Sequence, residues 1–126
     1  MKILIDTNVF LWGIQHEERL SRRVRTLLPL SDVWISVASI WEIITKVQVG
    51  KLSLPKPVAA YLSDKLRANG VLVLPITFDH VKRLEELPLH HRDPFDRILI
   101  AQSLEETVPV ITSDPLFARY PVEVIW

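Results

Sequence analysis

The sequence points to an α/β domain, a three-layer α/β/α sandwich built on a central parallel sheet. Two observations carry that expectation. The short apolar runs Lys2-Ile3-Leu4-Ile5, Val33-Trp34-Ile35, Val71-Leu72-Val73-Leu74 and Val108-Pro109-Val110-Ile111-Thr112 have the length and continuity of strands buried on both faces. Between them lie segments with apolar residues at helical spacing, and such alternation implies parallel pairing through right-handed crossovers. At 126 residues the chain is read as one domain, 1–126, large enough to bury a core.

The first strand ends abruptly at Asp6, and Val9 to Ile14 reads as a short helix. Leu20, Val24, Leu27 and Leu28 predict a second helix from about Glu17 to Leu28, stopped by Pro29, with Arg19, Arg22, Arg23 and Arg25 on its outer face. After the second strand Ser36 is a suitable N-cap. Val37, Ile40, Trp41, Ile44 and Val47 then fall on one helical stripe that Gly50 closes, with Glu42 beside it. A proline-punctuated connection, Leu52 to Pro57, leads to a helix from Val58 to Asn69, with Gly70 just past its end. The third strand stops at Pro75, and Thr77 or Asp79 starts a helix through Leu87. Asp93-Pro94 is an N-cap followed by proline at the first helical position. The helix that follows, through Glu106, contains Ile98-Leu99-Ile100-Ala101, apolar nearly all round and so deeply buried. The fourth strand tolerates Pro109 near its start. Asp114-Pro115 caps one short turn, and Val122 to Trp126 forms a last strand at the sheet edge.

Composition bounds the function. A hydrophobic fraction of 48% and a mean hydropathy of +0.21 are high for a soluble chain of this size and hint at a buried interface with a partner. Charged or polar residues interrupt every apolar run before membrane-spanning length, and Asp6 makes the first run too short for a signal peptide. The absence of cysteine excludes disulfides and thiolate metal sites and is compatible with a reducing cytoplasm. A net charge of zero argues against a nucleic-acid partner, unless several acids are gathered in one pocket and neutralised there by cations.

The strand ends suggest such a pocket. Asp6 and Asp114 follow the first and fourth strands, at the carboxyl edge where ligands of open α/β sheets collect. Asp96 lies in the first turn of the buried helix and Glu42 in the first half of the helix after the second strand, and early helical turns line the same edge. Each acid has a plainer duty open to it: Asp6, Asp93 and Asp114 as caps, Asp96 facing a helix dipole, Glu42 pairing with Lys46 one turn on. Two carboxylates about 4 Å apart at an effective dielectric of ~20 repel by on the order of 4 kcal/mol. Holding four together calls for a cation or raised pKa values, and hard oxygen ligands without cysteine favour Mg²⁺ or Mn²⁺. Such ions activate water for phosphodiester hydrolysis. Setting these four aside leaves 15 basic against 11 acidic residues, a surplus of +4 that can form a rim for a polyanion. Arg19, Arg22, Arg23, Arg25, Lys46, Lys51 and Arg97 are the rim candidates, with a solvated face the plainer reading of each.

Ile5-Asp6-Thr7-Asn8, Ser39-Ile40-Trp41-Glu42-Ile43, Gly50-Lys51-Leu52, Asp93-Pro94-Phe95-Asp96-Arg97 and Thr112-Ser113-Asp114 resemble, in order and spacing, the motifs of the PIN-domain family. Within that family the chain is similar to VapC-type ribonuclease toxins of toxin–antitoxin pairs, over essentially its whole length. The resemblance implies a Mg²⁺- or Mn²⁺-dependent endoribonuclease with Asp6, Glu42, Asp96 and Asp114 as its acidic quartet. Asp6, Asp96 and Asp114 would hold metal, and Glu42 would help directly or through water. It implies support from Asn8, Thr112 or Ser113, a homodimer, and a small antitoxin whose tail covers the site. Asp93, an extra acid, is read as the cap and kept only as an outside candidate, and His90 and His91 are given no role.

Three other readings are weighed against this. A haloacid-dehalogenase-like phosphatase needs a second Asp two residues after the first, where this chain has Asn8, and a receiver-type domain gives no reason for Glu42. A non-catalytic binding module would use its acids only as caps.

Overall fold

A computed structural model describes residues 1–126. Its sheet has five strands, β1 (Lys2–Ile5), β2 (Asp32–Ser36), β3 (Leu72–Leu74), β4 (Val110–Ile111) and β5 (Val124–Ile125), in the order β3-β2-β1-β4-β5 and parallel throughout. Six helices connect them: α1 (Thr7–Gln15), α2 (Arg22–Leu27), α3 (Val37–Gln48), α4 (Val58–Ala68), α5 (Phe78–Arg83) and α6 (Pro94–Glu106).

The alternation of side chains along β1 divides the core. Ile3 and Ile5 pack with Val9, Phe10, Val24, Ile43 and Leu62 from α1 to α4, while Leu4 packs with Leu99, Ile100, Phe117 and Tyr120 on the other face. These are the two outer layers of the expected sandwich. The chain lays β2 and β3 on one side of β1 and β4 and β5 on the other. A crevice therefore opens at the carboxyl ends of β1 and β4, where the strand order reverses. The Asp6 N–H donates to the Ile111 carbonyl at 3.1 Å and fixes the two ends side by side.

Helix ends fall where the capping chemistry places them. Asp93 accepts from the Phe95 and Asp96 amides with Pro94 as the first helical residue, and Ser36 accepts from Ala38 N. Gly70 follows α4 at φ +63°, a left-handed conformation that suits glycine. Val124–Ile125 is an edge strand, as expected.

Two readings need correction. The helix expected from Glu17 to Leu28 is three pieces: a 3₁₀ turn Glu17–Arg19, then α2, then a 3₁₀ turn Leu28–Leu30 that contains Pro29. Leu20 and Ser21 are extended between them, because the Ser21 hydroxyl caps α2 at Val24 N while Leu20 buries itself in the core. Helical spacing of Leu20 and Val24 survives the break, so periodicity alone does not reveal it. The stripe on α3 holds only in part, with Ile40, Ile44 and Val47 against the core. Val37 and Trp41 are exposed, Trp41 to 63%, and the buried residues are Ala38, Ser39, Glu42 and Ile43. The polar members of that face are buried because partners inside the crevice satisfy their hydrogen bonds, whereas Trp41 lies outside with its ring edge-on to Phe95 at 5.1 Å.

Candidate active site

Asp6 occupies the floor of the crevice. One carboxylate oxygen, Oδ1, accepts from the Val9 amide at 2.8 Å and caps α1, while Oδ2 accepts from the Thr112 hydroxyl at 2.6 Å. The Thr112 oxygen in turn accepts from the Asp114 amide at 3.0 Å, so one hydroxyl ties the ends of β1 and β4 together. Burial pushes the Asp6 carboxyl up to about 6. The Thr112 and Val9 hydrogen bonds oppose that rise, and the charges of Asp114 and Glu42 add to it.

Glu42 reaches the same place from α3. Its Oε1 accepts from the Thr7 hydroxyl at 2.7 Å, Thr7 is hydrogen-bonded to Ser39 at 2.9 Å, and Oε2 accepts from the Lys46 ammonium at 2.7 Å. Thr7 is the first residue of α1, and Ser39 precedes Glu42 by about one turn on α3, so both face the crevice. The Lys46 ammonium is held above its ordinary value, first by its hydrogen bond to Glu42, with Asp93 and Asp96 adding to the effect.

Asp96 and Asp114 complete the cluster from the first turn of α6 and the turn after β4. Asp114 Oδ1 caps the 3₁₀ turn Pro115–Arg119 through the Leu116 amide at 2.9 Å. Its Oδ2 lies 2.8 Å from His91 Nε2, and the same nitrogen lies 3.2 Å from Asp96 Oδ2. Burial pushes Asp96 up to about 7, Asp93, Glu42 and Asp6 push the same way, and His91 opposes them. Asp6 thus lies within electrostatic reach of Glu42 and Asp114, and Asp96 within reach of Glu42 and Asp6.

The other expected residues divide. Thr112 donates its hydroxyl to Asp6. Asn8 and Ser113 are exposed and make no side-chain hydrogen bond within the chain. Arg19, Arg22, Arg23 and Arg25 are exposed around α2, and Lys51 is exposed after α3. Arg97 corrects the rim: its guanidinium donates to the carbonyls of Pro88, His91, Leu84 and Leu87 and to the Tyr120 hydroxyl, at 2.9 to 3.5 Å. It braces the loop before α6, with both terminal nitrogens turned to these acceptors and away from a phosphate ligand's duty. Thr7, Ser39 and His91 were not anticipated. Thr7 and Ser39 are legible in retrospect as small hydroxyl residues one position and one turn from acids, while a loop histidine carries no such signal.

The donor set suits a hard cation. Every acid brings oxygen, Asp6 and Asp96 are pressed toward neutrality by burial, and Lys46 compensates only Glu42 directly. His91, Asp96 and Asp114 each offer an atom within 4.8 Å of the others, a grouping with the dimensions of a metal site. A cavity of about 340 Å³ lies elsewhere: it runs between Phe10, Ile14, Leu20, Leu28 and Val71 and includes none of the four acids.

The sequence matches the PIN domain over residues 3–123. A stretch of 50 residues is 38% identical to ribonuclease VapC16 of Mycobacterium tuberculosis, covering 40% of this chain and 34% of that protein's length. The fold is similar to that of DNA-bound VapBC from Salmonella typhimurium, with a TM-score of 0.78 at 17% identity over 99% of this chain and 97% of the other. VapBC2 from Rickettsia felis, bound to a promoter DNA fragment, gives 0.74 at 15% identity over 99% and 98%. VapBC-5 from Mycobacterium tuberculosis gives 0.63 at 22% identity over 98% and 97%.

Proposed function

The chain belongs to the PIN-domain family, and on that premise we propose that it is a metal-dependent endoribonuclease of VapC type, the toxin of a toxin–antitoxin pair. The observation that carries the reading is the convergence of Asp6, Asp96 and Asp114 from three elements on one crevice, two of them with raised pKa values. Such a cluster is electrostatically costly alone and is relieved by a divalent cation, here Mg²⁺ or Mn²⁺.

Asp6, Asp96 and Asp114 would hold the ion, with Glu42 acting directly or through water. When bound, the cation lowers the pKa of water for attack on phosphorus and offsets charge on the leaving oxygen. The rest falls to the chain itself. Thr112 aims the Asp6 carboxylate by holding Oδ2, and the Val9 amide holds Oδ1. Glu42 fixes the Lys46 ammonium at the edge of the site, and that partly exposed charge meets an RNA phosphate. Arg19, Arg22 and Arg23 follow the backbone farther out.

The names of the relatives support this assignment: one is a ribonuclease and the structures are VapBC pairs. Exposed Val37, Trp41 and Phe78 suit a protein partner, which we read as a second copy of the chain and an antitoxin. No helix is long and apolar enough to cross a membrane, and a cytoplasmic location accords with the absence of cysteine. A capping-only binding module has one observation in its favour, since Asp6, Asp93 and Asp114 do cap helical turns. Capping does not account for buried Glu42 or half-buried Asp96, since neither caps a helix.

The test is cleavage of total RNA by purified protein with Mg²⁺ or Mn²⁺, with the ends mapped. Internal cuts bearing 5′-phosphate and 3′-hydroxyl ends are expected. Undiminished cleavage in excess EDTA, or cyclic-phosphate ends, would overturn the reading.

A further inference from the structure

We propose that His91 is a positioning residue of the cation site and not one of its ligands, an inference that rests on the metal-dependent reading above. By distance alone His91 looks like a ligand, because its Nε2 lies 2.8 Å from Asp114 Oδ2 and 3.2 Å from Asp96 Oδ2. The opposite ring nitrogen decides otherwise. A histidine that ligates metal through one nitrogen carries its proton on the other and donates it to a carbonyl, carboxylate or water. Here Nδ1 faces the backbone N–H of Asp93 at 3.2 Å, a group that can only donate. Nδ1 therefore carries no proton, and the ring proton sits on Nε2, bonded to Asp114 Oδ2 with Asp96 Oδ2 close by.

The ring has little freedom to change this. The His91 amide donates to the Tyr120 hydroxyl at 2.8 Å, its carbonyl accepts from Arg97, and the ring packs edge-on to Phe117 at 5.8 Å. Moving the proton to Nδ1 would set two N–H groups against each other. Asp93 thus serves twice: its side chain caps α6, and its backbone N–H selects the tautomer of His91. The Nε2–H is held by Asp114 Oδ2, lies beside Asp96 Oδ2, and so orients the Asp114 carboxylate next to Asp96 at the cation site. The site then offers a metal oxygen alone. Zinc and nickel, which gain from an imidazole ligand, gain nothing from this one.

The test uses the folded protein labelled with ¹⁵N-histidine, with His91→Gln to assign the ring resonances among the four histidines. The metal-free and Mg²⁺-saturated proteins are both expected to show an unprotonated Nδ1 and a protonated Nε2 for His91. Calorimetry without substrate is expected to show Mn²⁺ binding weakened about 10–100-fold in His91→Ala. His91→Gln, whose amide can donate from a comparable position, is expected to recover most of it. An unprotonated Nε2 in the Mg²⁺- or Zn²⁺-loaded protein overturns the proposal, and so does a doubly protonated ring. Wild-type Mn²⁺ affinity in a folded His91→Ala overturns it while leaving the metal-site reading intact. If the wild type binds neither Mg²⁺ nor Mn²⁺, both fall. Should His91→Ala not fold, the ring nitrogens of the wild type decide.

Discussion

On one flank of Asp6, Glu42 meets a hydroxyl on one oxygen and the ammonium of Lys46 on the other. On the opposite flank, Asp96 and Asp114 share a single imidazole nitrogen, and Asp114 has in addition one backbone amide. The first flank is neutralised by the chain's own cation. The second holds two carboxylates against one nitrogen, with Asp93 one helical turn away raising Asp96 further. Four acids that look equivalent in the sequence are therefore unequal in the fold. The Asp96–Asp114 flank, with Asp6 at its base, is where an added cation has most to gain, and Glu42 is better placed to hold Lys46 than to bind metal.

The strongest way to break this comparison is to remove Asp6, the residue both flanks share. Asp6→Asn keeps an N-cap of comparable quality and removes one charge. It is expected to abolish RNA cleavage while leaving the metal-free protein at least as stable as wild type, measured by thermal melts beside activity assays. A drop in metal-free stability would show that the Thr112 hydrogen bond outweighs the repulsion.

Acidity tests the unequal burden directly. Asp6 and Asp96 titrate near 6 and 7 in the folded protein and ionise at the ordinary value of 3.8 when unfolded. Between those limits the folded state binds more protons, so stability falls as pH rises from about 4 to about 7. With metal chelated, wild type is expected to gain more melting temperature than Asp6→Asn on acidification from pH 8 to pH 5. Saturating Mn²⁺ is expected to erase the difference. Equal slopes with chelator would mean that Asp6 carries no such penalty.

A smaller and more discriminating effect comes from Lys46→Met. Removing a positive charge beside the cluster is expected to tighten Mn²⁺ binding several-fold and to weaken cleavage, which requires phosphate. Changes of the same sign in both would place Lys46 outside the division drawn here. The least effect is expected from Arg22→Glu with Arg23→Glu, which lie on neither flank. RNA binding is expected to weaken and its dependence on salt to flatten, with Mn²⁺ affinity unchanged.

Much of this arrangement was readable from residue order alone. Asp93-Pro94 marks the start of α6 because a capping carboxylate and a fixed φ leave little choice, and the acids lie near one another because parallel strands place their carboxyl ends on one edge. What escaped were features set by tertiary partners. Apolar spacing on α3 indicated Val37 and Trp41 as buried, yet the crevice takes Ser39 and Glu42, whose hydrogen bonds make burial tolerable. Arg97 follows Asp96 and so looks like a phosphate ligand, until the carbonyls of Leu84, Leu87 and Pro88 converge on it. The break at Leu20 and Ser21 was missed because a local cap outweighed a regular spacing.

The hydrogen bond between Thr112 and Asp6 joins residues 106 positions apart. That separation sets an order of assembly as well as a geometry. During synthesis β1 can pair with β2 after about thirty further residues, Lys2 opposite Asp32. The other edge of β1 stays open until β4 arrives, and Asp96 and Asp114 arrive late with it. Pairing across so long a loop is slow, and an unpaired apolar strand edge invites association with other chains. Chains that stop before β4 therefore carry Asp6 on a bare edge with no site around it, and it is β4 with the turn after it that closes the crevice.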